Sequence, residues 1–307
     1  MLSQSQMSRH LMENNFDYKF PSSLIAQSPA SPRDSSRLLV YDKKTGKIFY
    51  DIFRNLPKYL PKNAVLVFNE TKVVPARLVL RKETGGKVKI LYLGTVGKQI
   101  KVLSNKRLVK GAVLSVSPFD RLRVTHTRND KAFKVTGETE KGFLLTPLFP
   151  ISKMPAILER YGETPIPPYI KNSPLTEKEL KEKYQTVFAK YKGSVAAPTA
   201  SLHFTKALLN KIKKSGVDMK FVTLHVNLGT FAPLTPENLK SGKLHEEYFE
   251  IDPKTADFLN KARAQGRPII AVGTTVTRTL ESASRSHKLA RLSGKTDLFI
   301  REEYKFK

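Results

Sequence analysis

The chain has no cysteine and no tryptophan, and carboxylates are scarce beside its basic residues. Without cysteine there are no disulfides, no thiolate metal cage and no cysteine nucleophile. A structural zinc site loses its usual sulfur ligands. The six histidines, His10, His126, His203, His225, His245 and His287, never fall within five positions of one another, which excludes a local His-x-x-x-His metal pair. No apolar run approaches the ~20 residues of a membrane helix. The opening stretch, MLSQSQMSRHLMENN, lacks a secretory hydrophobic region and reads as a disordered extension over residues 1–15 of a cytoplasmic protein. G-x-G-x-x-G and G-x-S-x-G are absent. The GKT at Gly294–Thr296 has Leu289 where a phosphate loop needs its upstream glycine, so it is not one.

What is present is a 307-residue chain, 40% apolar, long enough for about two domains. Its 54 Lys and Arg stand against 27 Asp and Glu, a net charge of +27. Such an excess draws polyanions, with nucleic acid the leading partner and a generally basic proteome the plain alternative. The 11 tyrosines and 17 phenylalanines are available to stack on bases.

Pro21 and SSLIA suggest a helical turn, SRLLVYD and GKIFYDIF a hairpin around Lys43–Gly46, and Ala64–Phe68 a buried strand. From about residue 76 to 150, short alternating stretches such as RLVLRK, KVKILYLG, RLRVTHT and GFLLTPL argue a small β-barrel. That window carries 16 Lys and Arg against 5 Asp and Glu. The proline-dense stretch PLFPISKMPAILERYGETPIPPYIK reads as a structured loop. LTEKELKEKYQTVFAKYK reads as a helix capped by Thr176, and SLHFTKALLNKIKKSG as one amphipathic helix with Phe204, Leu208 and Ile212 on its stripe. Strand MKFVTLHVNLG, a helix from Asp252 to Gly266, strand RPIIAVG and helix TTVTRTLESASRS complete an alternating pattern. The fold class is therefore α/β, a layered, mixed or mostly parallel sheet formed by 16–75 plus 151–307, with a barrel inserted over 76–150.

Three segments carry candidate chemistry. GSVAAPTASLHF, residues 193–204, is small, uncharged and proline-bent, and runs into His203. In the first turn of its predicted helix the positive helix end disfavours the His203 imidazolium, and a neutral imidazole suits a general base; a packing or capping histidine is the ordinary alternative. In FVTLHV, alternation puts Val222, Leu224 and Val226 on one face and Thr223 and His225 on the other, towards the strand end where open α/β sheets bind ligands. In LHEEYFEI, His245 and Glu247 share a face. AVGTTVTR runs from strand through Gly273 to a helix start, where Thr274, Thr275 and free amides suit a carboxylate.

The chain resembles the S-adenosylmethionine:tRNA ribosyltransferase-isomerases of queuosine biosynthesis. The matching stretches are FDYKFPSSLIAQSPASPRDSSRLLV, VFNETKVVPARL, YGETPIPPYI, KYQTVFA, GSVAAPTASLHF, VTLHVNLGTFAPL, HEEYFEI and AVGTTVTRTLES, in order from about residue 16. The resemblance implies transfer and isomerisation of the ribosyl part of S-adenosylmethionine onto 7-aminomethyl-7-deazaguanine at the tRNA wobble position. Epoxyqueuosine forms, adenine and methionine leave, and S-adenosylmethionine is a consumed donor with no other cofactor or metal. A GUN-anticodon tRNA is the implied partner of a monomer.

Residue by residue, the resemblance implies His203, His225 and Glu247 as catalytic candidates, unranked. It assigns substrate contacts to Arg33, Asp34 and Arg37, then to Asn69, Thr71, Lys72 and Arg77. Ala197, Pro198 and Thr199 form the loop, and Gly229, Thr230, Phe231 and His245 follow. Gly273, Thr274, Thr275 and Arg278 match the last segment, with the Thr hydroxyls and Arg278 suited to the methionine carboxylate. The chain departs from the family pattern at Ser201, Asn227, Gly242 and Val276–Thr277, and at its end: members continue into a segment with Asn-Phe-His-Leu-Pro. Two rival readings are a tRNA-binding remnant without activity and an enzyme acting on a free nucleoside.

Overall fold

A computed structural model describes residues 19–116, 131–139, 142–227 and 234–307. The expected N-terminal extension and the stretch RLRVTHT lie outside the described residues. The turn after Pro21 is the 3₁₀ segment Ser22–Leu24. Strands β1 (Arg37–Tyr41) and β2 (Ile48–Ile52) form the expected antiparallel hairpin, and a 3₁₀ segment, Phe53–Tyr59, follows. Strand β3 (Val65–Asn69) is buried along its whole length, as a central strand covered on both faces must be. After β4 (Thr71–Val73), strands β5 (Arg77–Lys82), β6 (Lys87–Val96), β7 (Gln99–Ser104), β8 (Val113–Val116), β9 (Lys131–Thr139) and β10 (Gly142–Pro147) close into a six-stranded barrel. Alternate residues Leu78, Leu80, Val88, Ile90, Ile100, Val102, Phe143 and Leu145 fill its interior, which is the period-two pattern read from the sequence.

The proline-dense stretch is not all loop. Met154–Tyr161 is helix α1, and Met154 and Leu158 seal the barrel core. Pro155 sits in the first turn, where a missing amide costs nothing. Helix α2 (Glu177–Lys183) carries the expected cap, a reciprocal box between Thr176 and Glu179. Strand β11 (Tyr191–Ser194) pairs in parallel with β4. The following segment departs from expectation. Thr199–His203 is a separate 3₁₀ turn, and helix α3 (Lys206–Lys214) begins after Thr205, whose hydroxyl accepts from the Leu208 amide at 3.1 Å. A threonine that can cap interrupts what periodicity alone reads as one helix.

Strand β12 (Asp218–Leu224), helix α4 (Pro236–Ser241), β13 (Lys243–Glu250), α5 (Pro253–Ala264), β14 (Ile269–Ala271) and α6 (Thr274–Ala283) follow. The small hairpin β15 (Ser284–Arg285) and β16 (Lys288–Leu289) leads to β17 (Ser293–Leu298). Helix α5 has the expected ends, with Asp252 accepting from the Thr255 amide and Gly266 at φ +67°. A five-stranded sheet runs β14-β3-β12-β13-β17. Its first three strands are parallel and its last two antiparallel, so the sheet is mixed. Val65, Val67, Val222 and Leu224 face α5 and α6, while Leu66 and Phe68 face Phe204 and, on α3, Leu208 and Ile212. Among the described residues no helix is long and apolar enough to cross a membrane.

Candidate active site

The three parallel strands end together. Asn69 of β3 is level with Val222 of β12, and Ala271 of β14 with Val67. Asn69 is fully buried and spends its amide there: Nδ2 donates to the Leu224 carbonyl at 3.0 Å, and Oδ1 accepts from the Leu224 and Thr71 amides at 3.1 Å. The segment 194–203 crosses this end of the sheet. The Val195 amide donates to the Val226 carbonyl at 2.9 Å. Ala200 rests on Gly273, where an added Cβ would lie 3.1 Å from the Ala200 methyl and φ is +89°. Sheet end, small-residue loop and the start of α6 therefore converge.

His225 follows β12 and is held from three sides. Its ring lies against Gly193, where a Cβ would come within 2.7 Å of ring atoms, and Tyr248 stacks on it at 6.3 Å. Its Nδ1 is 2.8 Å from Thr71 Oγ1. Ser194 is fully buried; its Oγ accepts from the Val226 amide at 2.8 Å and lies 2.7 Å from Thr71 Oγ1. A buried hydroxyl needs an acceptor for its proton, so Ser194 donates to Thr71 and Thr71 donates to His225 Nδ1. The network assigns the His225 proton to Nε2. Burial lowers the pKa of this imidazole, with the Glu250 charge opposing, so the ring is held neutral.

His203 carries the opposite assignment. Ser36 Oγ donates to the Arg33 carbonyl at 3.1 Å and lies 3.0 Å from His203 Nδ1. Assigning the Ser36 proton to that carbonyl, with the His203–Arg33 hydrogen bond beside it, makes Nδ1 the protonated nitrogen and leaves Nε2 its lone pair. Phe53 packs on the ring at 5.1 Å. Burial lowers the His203 pKa, and the Arg33 carbonyl works against it. The expectation that a helix N-terminus lowers this pKa is corrected: His203 ends a 3₁₀ turn, and desolvation is the cause.

The start of α6 is open to an anion. No side chain caps it, and Thr274 is exposed. Thr275 Oγ1 and Ser201 Oγ are buried without a hydrogen-bond partner. They lie just beyond Gly273 and Ala200, the contact that joins helix and loop.

A sequence profile described as queuosine biosynthesis protein matches residues 13–307. The chain belongs to that family. An S-adenosylmethionine:tRNA ribosyltransferase-isomerase of Caldanaerobacter subterraneus subsp. tengcongensis is 43% identical over 304 residues, covering 97% of this chain and 84% of the relative. One from Staphylococcus epidermidis is 43% identical over 300 residues, covering 95% and 83%. The solved structure of the S-adenosylmethionine tRNA ribosyltransferase from Thermotoga maritima is 30% identical, covers 95% of this chain and 81% of that one, and superposes with a TM-score of 0.46.

Several family-matched residues make contacts within the scaffold. Glu247 is buried; Oε1 accepts from the Asn227 amide at 2.9 Å and Oε2 pairs with Arg278, so it is not a free base. Two other Arg278 donors go to the Leu298 and Thr296 carbonyls. Three of its five N–H donors are engaged within the scaffold, which leaves two for the expected role on a carboxylate. Arg33 donates to the Gln185 and Glu182 carbonyls, Asp34 accepts from the Thr205 hydroxyl at 2.9 Å, and Arg77 donates to the Ile166 carbonyl at 3.2 Å. Arg37 opens the β1–β2 hairpin with its residue exposed. Ala197 and Pro198 are buried in the loop, Thr199 is exposed, and His245 is half-buried on β13. Gly229, Thr230 and Phe231 lie outside the described residues.

Two cavities stand out among the described residues, and neither is lined by His203 or His225. One, of about 210 Å³, is bordered by Lys72, Lys181, Lys192 and Gln185; the other, of about 420 Å³, lies between α5 and α6. The departures from the family pattern are accommodated. Gly242 ends α4 in a left-handed conformation at φ +67°, Val276 is fully buried in the sheet core, and Thr277 Oγ1 donates to the Gly273 carbonyl. Sequence reasoning missed Gly193, Ser194, Ser36 and Tyr248 as partners of the two rings. All four stand inside the family-matching stretches, which was the available signal.

Proposed function

We propose that this chain moves the ribosyl part of S-adenosylmethionine onto the aminomethyl group of 7-aminomethyl-7-deazaguanine at the wobble position of a GUN-anticodon tRNA. The sugar is rearranged to an epoxycyclopentanediol, giving epoxyqueuosine, with adenine and methionine released. The observation that carries the chemistry is the pair of neutral histidines with opposite assignments, His203 with a free Nε2 lone pair and His225 with an Nε2 proton.

The sulfonium acidifies its neighbouring carbon, and His203 Nε2 removes that proton. The departing adenine needs a proton or a strong hydrogen bond on a ring nitrogen, and His225 Nε2–H supplies it. Each such positioned transfer is worth ~10²–10⁴ in rate. The α6 amides with Thr274, Thr275 and Ser201 receive the methionine carboxylate. Lys72 and the barrel lysines attract RNA phosphates. The protein works as a cytoplasmic monomer.

Adenine release from S-adenosylmethionine, measured with precursor-bearing tRNA, tests the reading. Turnover that requires this tRNA is expected. Tight tRNA binding without adenine selects a binding remnant, and negligible tRNA binding at moderate salt selects a free nucleoside as acceptor.

A further inference from the structure

The β1–β2 hairpin has a face that nothing among the described residues covers. Cross-strand pairs Arg37–Ile52, Leu39–Tyr50 and Tyr41–Ile48 share that face. Tyr50 is 80% exposed, Tyr41 59% and Leu39 56%. A solvent face of an antiparallel ribbon is ordinarily polar, and a contiguous exposed apolar patch marks a binding surface.

Its rim is cationic. Lys43, Lys44 and Lys47 form the turn, and Arg54 follows β2. The two carboxylates of this stretch are turned to scaffold. Asp42 accepts from the Lys44 and Thr45 amides. Asp51 accepts from Asn55, Tyr59 and the Ile52 amide, which holds its carboxyl at about 2. Exposed tyrosines with lysines at the turn and arginines at the other end fit unpaired bases stacked on the rings with their phosphates at the rim. A second copy of the hairpin would bring the same cations face to face, which disfavours self-association.

The patch also leads to the candidate site. Ser36, which accepts from His203, immediately precedes β1. Phe53, which packs on His203, immediately follows β2, and its amide donates to the Ser36 carbonyl at 2.8 Å. Strands of five residues span about 17 Å, room for a short unpaired RNA segment ending near the imidazole.

We propose that this hairpin face binds a single-stranded segment of the RNA substrate by stacking bases on Tyr41 and Tyr50. The proposal rests on the RNA-substrate reading above and adds the surface that would steer the unpaired loop to His203.

The probe is a ten-nucleotide single-stranded RNA carrying 2-aminopurine, together with precursor-bearing tRNA in the adenine-release assay. Tyr50→Ala with Tyr41→Ala should weaken oligonucleotide binding about tenfold or more and abolish the stacking quench. KM for tRNA should rise similarly with kcat held within about twofold. Tyr50→Phe should keep affinity and Tyr50→Leu should lose it, which a merely structural role would not separate. Replacing Lys43, Lys44 and Lys47 by Gln should lower the log–log salt slope by about 2. Unchanged RNA affinity in these folded variants overturns the proposal. So does loss of self-association in place of RNA binding, measured by sedimentation. A wild type that stacks the oligonucleotide on Tyr50 yet releases no adenine supports the surface and refutes only the enzymatic reading. A wild type that binds neither RNA refutes both.

Discussion

Thr71 decides where the His225 proton resides. Thr71→Val removes the donor to Nδ1 and strands the buried Ser194 hydroxyl. Adenine-release kcat should fall at least ~10-fold while Thr71→Ser retains most of it, because only the serine can still donate to the ring. Steady-state kinetics of the two variants check this. The pH dependence follows from the direction of the two shifts. Both imidazoles have pKa values below the ordinary ~6.5, so between those values the unfolded chain binds more protons than the native one. Their contribution to stability is complete above ~6.5 and drains away as pH falls towards the lowered native values. Melting temperature followed from pH 7.5 to 5 should fall, and should fall less for the His203→Gln, His225→Gln double variant. The residue scale is also where the sequence is least legible. Glu247 and Arg278 stand on β13 and α6, 31 positions apart, and no local pattern announces their ion pair.

At the scale of elements, that ion pair ties α6 to the antiparallel half of the sheet. Glu247→Ala leaves a guanidinium whose side chain is only 12% exposed without its counter-charge. Breaking such a pair costs about 3–5 kcal/mol, and a Glu247→Leu, Arg278→Met pair should cost clearly less. Urea unfolding of the three proteins measures the difference. Element order itself was readable. Ala64–Phe68 announces a doubly covered strand, the alternating stretches from Arg77 to Pro147 announce the barrel, and Asp252, Pro253 and Gly266 bound α5. Two readings failed for local reasons. Proline density concealed α1, whose proline sits in the tolerated first turn, and the Thr205 cap split one apparent helix into a 3₁₀ turn and α3. That second misreading moved His203 from a helix into the loop, and with it the cause of its low pKa.

Across the whole molecule, a basic chain carries an uncharged loop at the end of its mixed sheet. A net charge of +27 makes RNA binding strongly salt-dependent. With about six phosphates contacted, tRNA affinity should drop ~10³-fold between 50 and 200 mM salt, read by filter binding. The small residues of 193–200 serve close approach, with Gly193 to the His225 ring and Ala200 to Gly273. They pack the His225 ring and the start of α6 against a loop whose last residue is His203. Adenine release at saturating precursor-tRNA, compared between wild type and His203→Ala, bears most directly on that arrangement. The account predicts a loss of at least ~100-fold in kcat with tRNA affinity preserved. Full turnover by the variant would contradict it.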